Sequence, residues 1–463
     1  MNLLFEQKYV NTGFFSGVIL SFPYIAQNII KYIIVMKMKT LLLTVFVLFF
    51  TVFQGFAQRT IIHAGTLIDG TSDDTRSEVS IIIEENTITS IENGYVNGNR
   101  NDQIIDLKSK TVLPGLIDLH VHLESETNPQ KYLEEFTFDE ADFAMRSTAF
   151  AKRTLMAGFT TVRELGGSGV NISLRNAINQ GFVDGPRIIT VGKSIGTTGG
   201  HADPTNGWKN TLMGAPGPED GVINGTAEAR EGVRQRYKEG SDHIKITATG
   251  GVLSVAKSGD APQFFEDELD AIVRTAKEYG MHVAAHAHGA EGMKRAVEAG
   301  VLTIEHGTHM TEEVMDLMIE NGTYYIPTIS AGKWVAEKAK VEGYYPALVV
   351  PKALEIGPKI QNTFAQAYEH GVNIAFGTDA GVFPHGLNGK EFGYMTEVGM
   401  PAMEAIKSAT SVAAKVLGLQ DQIGTIEAGK SADIVATDAN PLNDISTMES
   451  VSFIMKEGKI YKN

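Results

Sequence analysis

Between Leu116 and Gly381 the chain repeats one pattern eight times: a short apolar run, mostly followed by a segment with helical spacing of its apolar residues. The runs are LIDLHVHL, TTVREL, RIITVG, HIKITATGG, HVAAHAHG, TIEHG, YYIPTI and NIAFGTDAG, and the separators include EDELDAIVRTAKEYG, AEGMKRAVEAG, EEVMDLMIENG and IQNTFAQAYEHG. Runs this short, bounded by glycine and alternating with amphipathic helices, read as buried parallel strands. Eight such units in about 300 residues predict an α/β fold, a (β/α)8 TIM barrel, over residues 114–420.

The flanks differ in style. Residues 58–113 carry short alternating strands (RTIIHAGTLIDG, VSIIIEENTITSI, DQIIDL, KTVLPG), and residues 421–463 resume it in ADIVATDANP and VSFIMKEGKIYKN. Both chain ends are therefore expected to build one small β-sandwich domain beside the barrel. Residues 1–57 read as an export segment: Met36 to Gln58 has a basic start, an apolar stretch from Leu41 to Phe53, and Gly55 and Ala57 before a cut. Residues 1–35 read as an over-extended gene start. The apolar stretch is short for a membrane span, so an exported soluble protein, periplasmic or secreted, without stable membrane association after signal removal is expected.

With 463 residues, 43% of them apolar, the chain can bury a large core. A net charge of −15 argues against nucleic acid as a partner. The absence of cysteine excludes disulfides, thiolate metal sites, a cysteine nucleophile and a lipid-anchored cysteine. Any metal must be held by histidine, carboxylate or something rarer.

Barrel chemistry sits at the C-terminal ends of the strands. There the first run ends in His120 and His122, which strand alternation places on one face. The fourth run carries Lys245, the fifth His286 and His288, the sixth His306 and the eighth Asp379. Each has an ordinary explanation alone: a histidine at a strand end is commonly a hydrogen-bonded structural residue, and Asp379 could cap a helix. Together they are nitrogen and oxygen donors converging on one mouth, suited to a divalent cation such as zinc. Lys245 is the anomaly, since Ile244, Ile246, Thr247 and Ala248 mark a buried strand where an ammonium is expensive.

These residues lie in LPGLIDLHVHL, GFTTVRELGG, TGGHADP, HIKITATGGV, HVAAHAHG, TIEHGT, FGTDAG and IGTIEAGKSADIVATDANPL. In them the chain resembles the amidohydrolase superfamily over about residues 59–463, and within it the prolidase-like and Xaa-Arg dipeptidase group. The resemblance implies two divalent metal ions, Zn2+ foremost, bridged by N-carboxylated Lys245. One would be held by His120, His122 and Asp379, the other by His286 and His306. It further implies a metal-bridging hydroxide as nucleophile, with Asp379 as general base and then general acid, and hydrolysis of an amide carbon–nitrogen bond. His201 would face the substrate oxyanion. His288 stands where relatives often have tyrosine and would bind the substrate carbonyl in its place, or replace His286 as ligand.

The expected partner is a small-molecule amide or dipeptide, of Xaa-Pro or Xaa-Arg/Lys type, or an N-acyl amino acid with a free α-carboxylate; assembly as a homo-oligomer is left open. Two alternatives are a cyclic-amide hydrolase or deaminase (imidazolonepropionase-like) of the same superfamily, and a non-catalytic exported binding protein. Arg163 reads as structural, paired with Glu164 or a nearby barrel carboxylate. His243 would pack one layer deeper than Lys245, and His309 would cap a turn. The tyrosines of NGTYYIPTIS and Lys333 are candidates for the pocket lining, with core the commoner role for strand aromatics. The loops at 193–224 and 253–265, rich in Gly, Pro, Asp and Asn, are expected to cover the mouth.

Overall fold

Strand β5 (Leu116–Val121) is buried at every position, because in a parallel barrel one face meets the interior and the other meets helices. The same holds for β6 (Phe159–Glu164), β8 (Ile244–Thr247), β9 (Val283–Ala287) and β10 (Thr303–His306). With β7 (Arg187–Thr190) and β11 (Tyr324–Ile326) they form two parallel sheets, β5-β6-β7 and β8-β9-β10-β11. Strands β1 (Arg59–Leu67), β2 (Arg76–Glu84), β3 (Thr87–Asn93) and β4 (Gln103–Pro114) precede them. Strands β12 (Ile434–Thr437), β13 (Phe453–Lys456) and β14 (Lys459–Lys462) follow. The computed structural model describes residues 26–40 and 59–463.

Two seams join the parallel sheets into a ring. At one, Ile195 N donates to Lys245 O (2.8 Å) and Thr247 N to Ile195 O (3.0 Å). At the other, residues 373–380 bond to both neighbours: Tyr325 N to Asn373 O (2.8 Å), Leu119 N to Phe376 O (3.0 Å) and Asp379 N to His120 O (2.7 Å). This eighth stave lies close against its neighbours, and a Cβ at Gly377 would stand 2.4 Å from Ile326 and 3.1 Å from His120. The barrel read from eight apolar runs is thus closed.

Helices follow the strands and bury one stripe each. Helix Glu266–Glu278 places Leu269, Ile272 and Ala276 inward, carries Glu266, Asp267 and Glu268 at its positive end, and has Lys277 in its last turn. It ends where Gly280 takes a φ of 69°. Truncating Ile272, fully buried, to alanine would cost about 2–5 kcal/mol.

The chain ends combine in one seven-stranded sheet, ordered β14-β13-β12-β4-β1-β2-β3. Its β3 edge returns to the segment before β12, with Ile88 N donating to Lys430 O (2.9 Å) and Thr87 bridging Ser431. The fold-over encloses Ile62, Val79, Ile81, Ile105, Ile434 and Phe453. Gln58–Asn463 is one compact unit.

Residues 26–40 form an exposed helix, and no described helix is long and apolar enough to cross a membrane. The apolar stretch Leu41–Phe53 and the cut after Ala57, on which the export reading rests, lie outside the described residues.

Candidate metal centre

The eight residues singled out in the sequence meet at the C-terminal mouth of the barrel. Ring centroids of His120 and His306 lie 5.0 Å apart, His286 and His306 4.6 Å, His286 and His288 4.7 Å, and His201 and His286 4.4 Å. One donor atom each from His120, His306 and Asp379 falls within 4.8 Å of the others. Lys245 is buried beneath, 3% exposed, as its place in an apolar strand predicts.

Five of the six site histidines, all but His201, have one ring nitrogen engaged by the protein, which fixes the ring's orientation and leaves the other nitrogen for a ligand. His120 Nδ1 meets Glu305 Oε2 (2.9 Å), His122 Nδ1 meets Gly166 O (2.7 Å) and His306 Nδ1 meets Thr328 Oγ1 (2.7 Å). In these three Nε2 is left free. His286 is reversed: Nε2 meets Gly250 O (3.0 Å), leaving Nδ1. His288 Nδ1 meets Thr308 Oγ1 (2.8 Å).

Asp379 is 7% exposed, and its Oδ1 has no hydrogen-bond partner although it lies 3.6 Å from His120 Nε2 and 3.4 Å from His122 Nε2. A buried carboxylate oxygen left bare costs about 1–3 kcal/mol or more, so this atom is placed for something other than a protein donor. His306 (φ 72°) and Asp379 (φ 61°) also adopt the left-handed backbone region, at about 1–3 kcal/mol each for side chains with a Cβ. Orphaned oxygen, free imidazole nitrogens and strained backbone fit a divalent cation held by N and O donors.

Electrostatics agree with neutral imidazoles awaiting a cation. Burial, followed by the Lys245 charge, lowers the pKa of His122 to about 3; burial and neighbouring histidines or Lys245 hold His120, His286 and His306 well below the ordinary range. Burial pulls Lys245 down to about 8 against the attraction of Glu305 and Asp379. Burial raises Asp379 to about 7 against the Lys245 charge. Burial also puts His201 and His288 at about 3.

Glu305 is the functional residue the sequence reading did not single out. Wholly buried, it accepts from Arg163 Nη2 (2.8 Å) with one oxygen and faces His120 with the other. Arg163 therefore pairs with a barrel carboxylate, but Glu305 and not Glu164; it also donates to Leu119 O (2.7 Å). Glu164 instead takes Asn171 Nδ2 and Thr190 Oγ1. Asp118, likewise buried, accepts from His120 N, Thr378 N and Thr378 Oγ1, and so ties the first strand to the Asp379 stave. The only signal for either was an acid inside an apolar run.

The remaining candidates separate. Tyr325 is core, its hydroxyl donating to His306 O (2.8 Å). Lys333 pairs with Glu397 (3.7 Å) over the Tyr394 ring. His243 sits half-buried against His282. His309 N donates to His288 O (2.8 Å), and its ring faces Asp260 (3.5 Å).

A profile of the amidohydrolase family matches residues 111–461. The ochratoxinase of Aspergillus niger is 30% identical over 431 residues, 88% of this chain and 87% of its own. Among solved structures, a Xaa-Pro dipeptidase with bound methionine in its active site is 56% identical, with a TM-score of 0.86 over 88% of this chain and all of that one. A prolidase complexed with N-methylphosphonate-L-proline is 31% identical, with a TM-score of 0.79 over 88% of this chain and all of that one. The chain belongs to the amidohydrolase family and is a hydrolase acting on carbon–nitrogen bonds.

Proposed function

We propose that this enzyme hydrolyses the amide bond of dipeptides, Xaa-Pro or Xaa-Arg/Lys in type, or of N-acyl amino acids, with His120, His122, His286, His306, Asp379 and N-carboxylated Lys245 holding two divalent ions, Zn2+ foremost. The observation that carries the reading is Asp379 Oδ1, buried and unpartnered between two imidazole nitrogens. When bound, such ions lower the pKa of water and polarise a carbonyl.

The chain's own residues supply the rest. Asp379 takes a proton from the attacking water as the carbon–oxygen bond forms, and returns it to the leaving nitrogen as the carbon–nitrogen bond breaks. Its Oδ1, bare of protein donors, is the atom free to exchange that proton. His201 Nδ1 is buried without a partner and is assigned to the developing oxyanion. With Nδ1 held by Thr308, His288 is oriented to offer Nε2 to the substrate carbonyl, where relatives often have a phenol. Burial favours the neutral amine of Lys245, the form that reacts with carbon dioxide. The preference for a free α-carboxylate is supported by Lys131, half-buried at the start of helix Lys131–Thr137, whose charge acts on His122, His201 and Asp379.

The test is metal analysis of protein produced with bicarbonate and zinc, joined to hydrolysis of a dipeptide and N-acyl amino acid library. Two metals per chain with release of the C-terminal residue supports the reading. Two metals with no amide turned over sinks the substrate assignment and spares the site. One metal with turnover of a cyclic amide or an aminated heterocycle favours the hydrolase or deaminase alternative. Lys245→Ala should lose most bound metal, and full retention of metal and activity refutes the carbamate. We also propose residues 1–57 as an export segment; a mature N-terminus well before Gln58 on the exported protein would refute it.

A further inference from the structure

We propose that Lys352 is a positioning residue that pins the segment 250–256 across the barrel mouth, so that Gly250 and Gly251 keep the His286 and His201 rings in place. This rests on the site reading above.

Lys352 stands on helix Val349–Ile356, 7% exposed, among Val349, Ala353 and Ile356. An ammonium in such surroundings must be paired or hydrogen-bonded. Its partners are three main-chain carbonyls of one short segment: Gly251 O (2.8 Å), Ser254 O (2.8 Å) and Ala256 O (2.9 Å). An ammonium has three protons, so all are used and the group is closed to a substrate carboxylate. Three carbonyls within six residues turn toward one point only if the backbone wraps around it. Gly250 is tied at its N–H to Ala261 O (2.9 Å) beside the Thr249–Pro262 bridge, but from Gly251 to Ala256 no ladder bond continues, and the cation gathers that stretch.

The consequences reach the site from both ends of the contact. Gly250 O is the acceptor that fixes His286 Nε2 and so frees Nδ1. Gly251 lies so near His201 that a Cβ there would stand 2.3 Å from the ring. A second tie converges on the same segment from helix Lys131–Thr137, Tyr132 Oη donating to Leu253 O (2.7 Å). Two long side chains from separate helices thus grip one loop that touches a ligating and a substrate-facing histidine.

The experiment uses the metal-loaded enzyme and its Lys352→Met, Lys352→Arg and Tyr132→Phe variants. Tryptic cleavage after Lys257, exposed on the same loop, reports loop opening without any substrate. Lys352→Met should be cut about tenfold faster or more. Its kcat on the amide found in the library should fall about tenfold to a hundredfold, with KM changed far less, because reacting groups are misplaced and not lost. Lys352→Arg should recover part of both, and Tyr132→Phe should move both the same way by a smaller factor. Wild-type cleavage and kcat in Lys352→Met overturn the proposal; should that variant not fold, the same result in Tyr132→Phe does. If the wild type turns over no amide, the function proposed above fails and the cleavage rates alone decide this one.

Discussion

Replacing Glu305 by glutamine removes one charge from a place where the structure gives it two tasks. The carboxylate is wholly buried and neutralises Arg163, itself 3% exposed, through the 2.8 Å bond from Nη2. Breaking a buried ion pair by removing one partner costs about 3–5 kcal/mol, and glutamine keeps one carbonyl oxygen for the guanidinium, so about 3 kcal/mol is expected. The other oxygen faces His120 Nδ1 at 2.9 Å. An amide nitrogen turned there donates and does not accept, which moves the imidazole proton to Nε2, the atom 3.6 Å from Asp379 Oδ1. The lone pair needed for a metal then points away from it. Losing such a partner lowers metal affinity about tenfold to a hundredfold.

The two effects can be read apart. Urea unfolding of the metal-free protein measures the first, and zinc titration against a competing chelator measures the second. In Arg163→Met with Glu305→Gln no guanidinium is left uncompensated, so more than half of the lost stability should return. Zinc affinity should also return in part, because the glutamine carbonyl, no longer claimed by a guanidinium, turns to His120 Nδ1; Arg163→Met with Glu305→Leu, which offers no acceptor, should keep the loss. A stability loss below about 1 kcal/mol in Glu305→Gln would show that the buried pair is not what holds Arg163. Wild-type zinc affinity in Arg163→Met with Glu305→Leu would refute the orientation argument, since the carboxylate would then act only through Arg163.

Gly251→Ala places a methyl group 2.3 Å from the His201 ring, so the ring must move; kcat should fall about a hundredfold with metal content unchanged, and steady-state kinetics beside metal analysis checks it. Acid should destabilise the metal-free protein. His201 and His288 have folded pKa values of about 3 against 6.5 unfolded, so between these values the unfolded chain binds more protons. Stability from this source is complete above 6.5 and is lost as pH falls toward 3, by up to about 1.4 kcal/mol per pH unit for each proton. Urea midpoints measured from pH 7 to pH 4 should decline, and the decline should be shallower in His201→Asn with His288→Asn.

The barrel and the convergence of its polar strand ends were legible because both rest on local pattern. Short apolar runs between amphipathic segments can hardly be anything but parallel strands, and a histidine or lysine at the end of such a run has no cheap alternative to the mouth. The residues that orient the donors were not legible, because their roles are set by contacts between different strands. Glu305 neighbours His286 through the β9–β10 register, and its partners His120 and Arg163 come from two further strands. Alternation also misleads at this point, since it would send Glu305 and His306 to opposite faces. They serve one site because His306 takes a φ of 72°, which breaks the alternation as the strand ends. That conformation is held from outside the strand: Tyr325 Oη donates to His306 O, Thr328 Oγ1 meets His306 Nδ1, and Gly307 N donates to Ala287 O. Asp379, at φ 61°, is held in the same way by its N–H to His120 O. A histidine or aspartate in the left-handed region is stable only where neighbours from other elements over-determine it. The two strained positions, His306 and Asp379, are therefore a property of the assembled barrel, which apolar spacing along the chain does not encode.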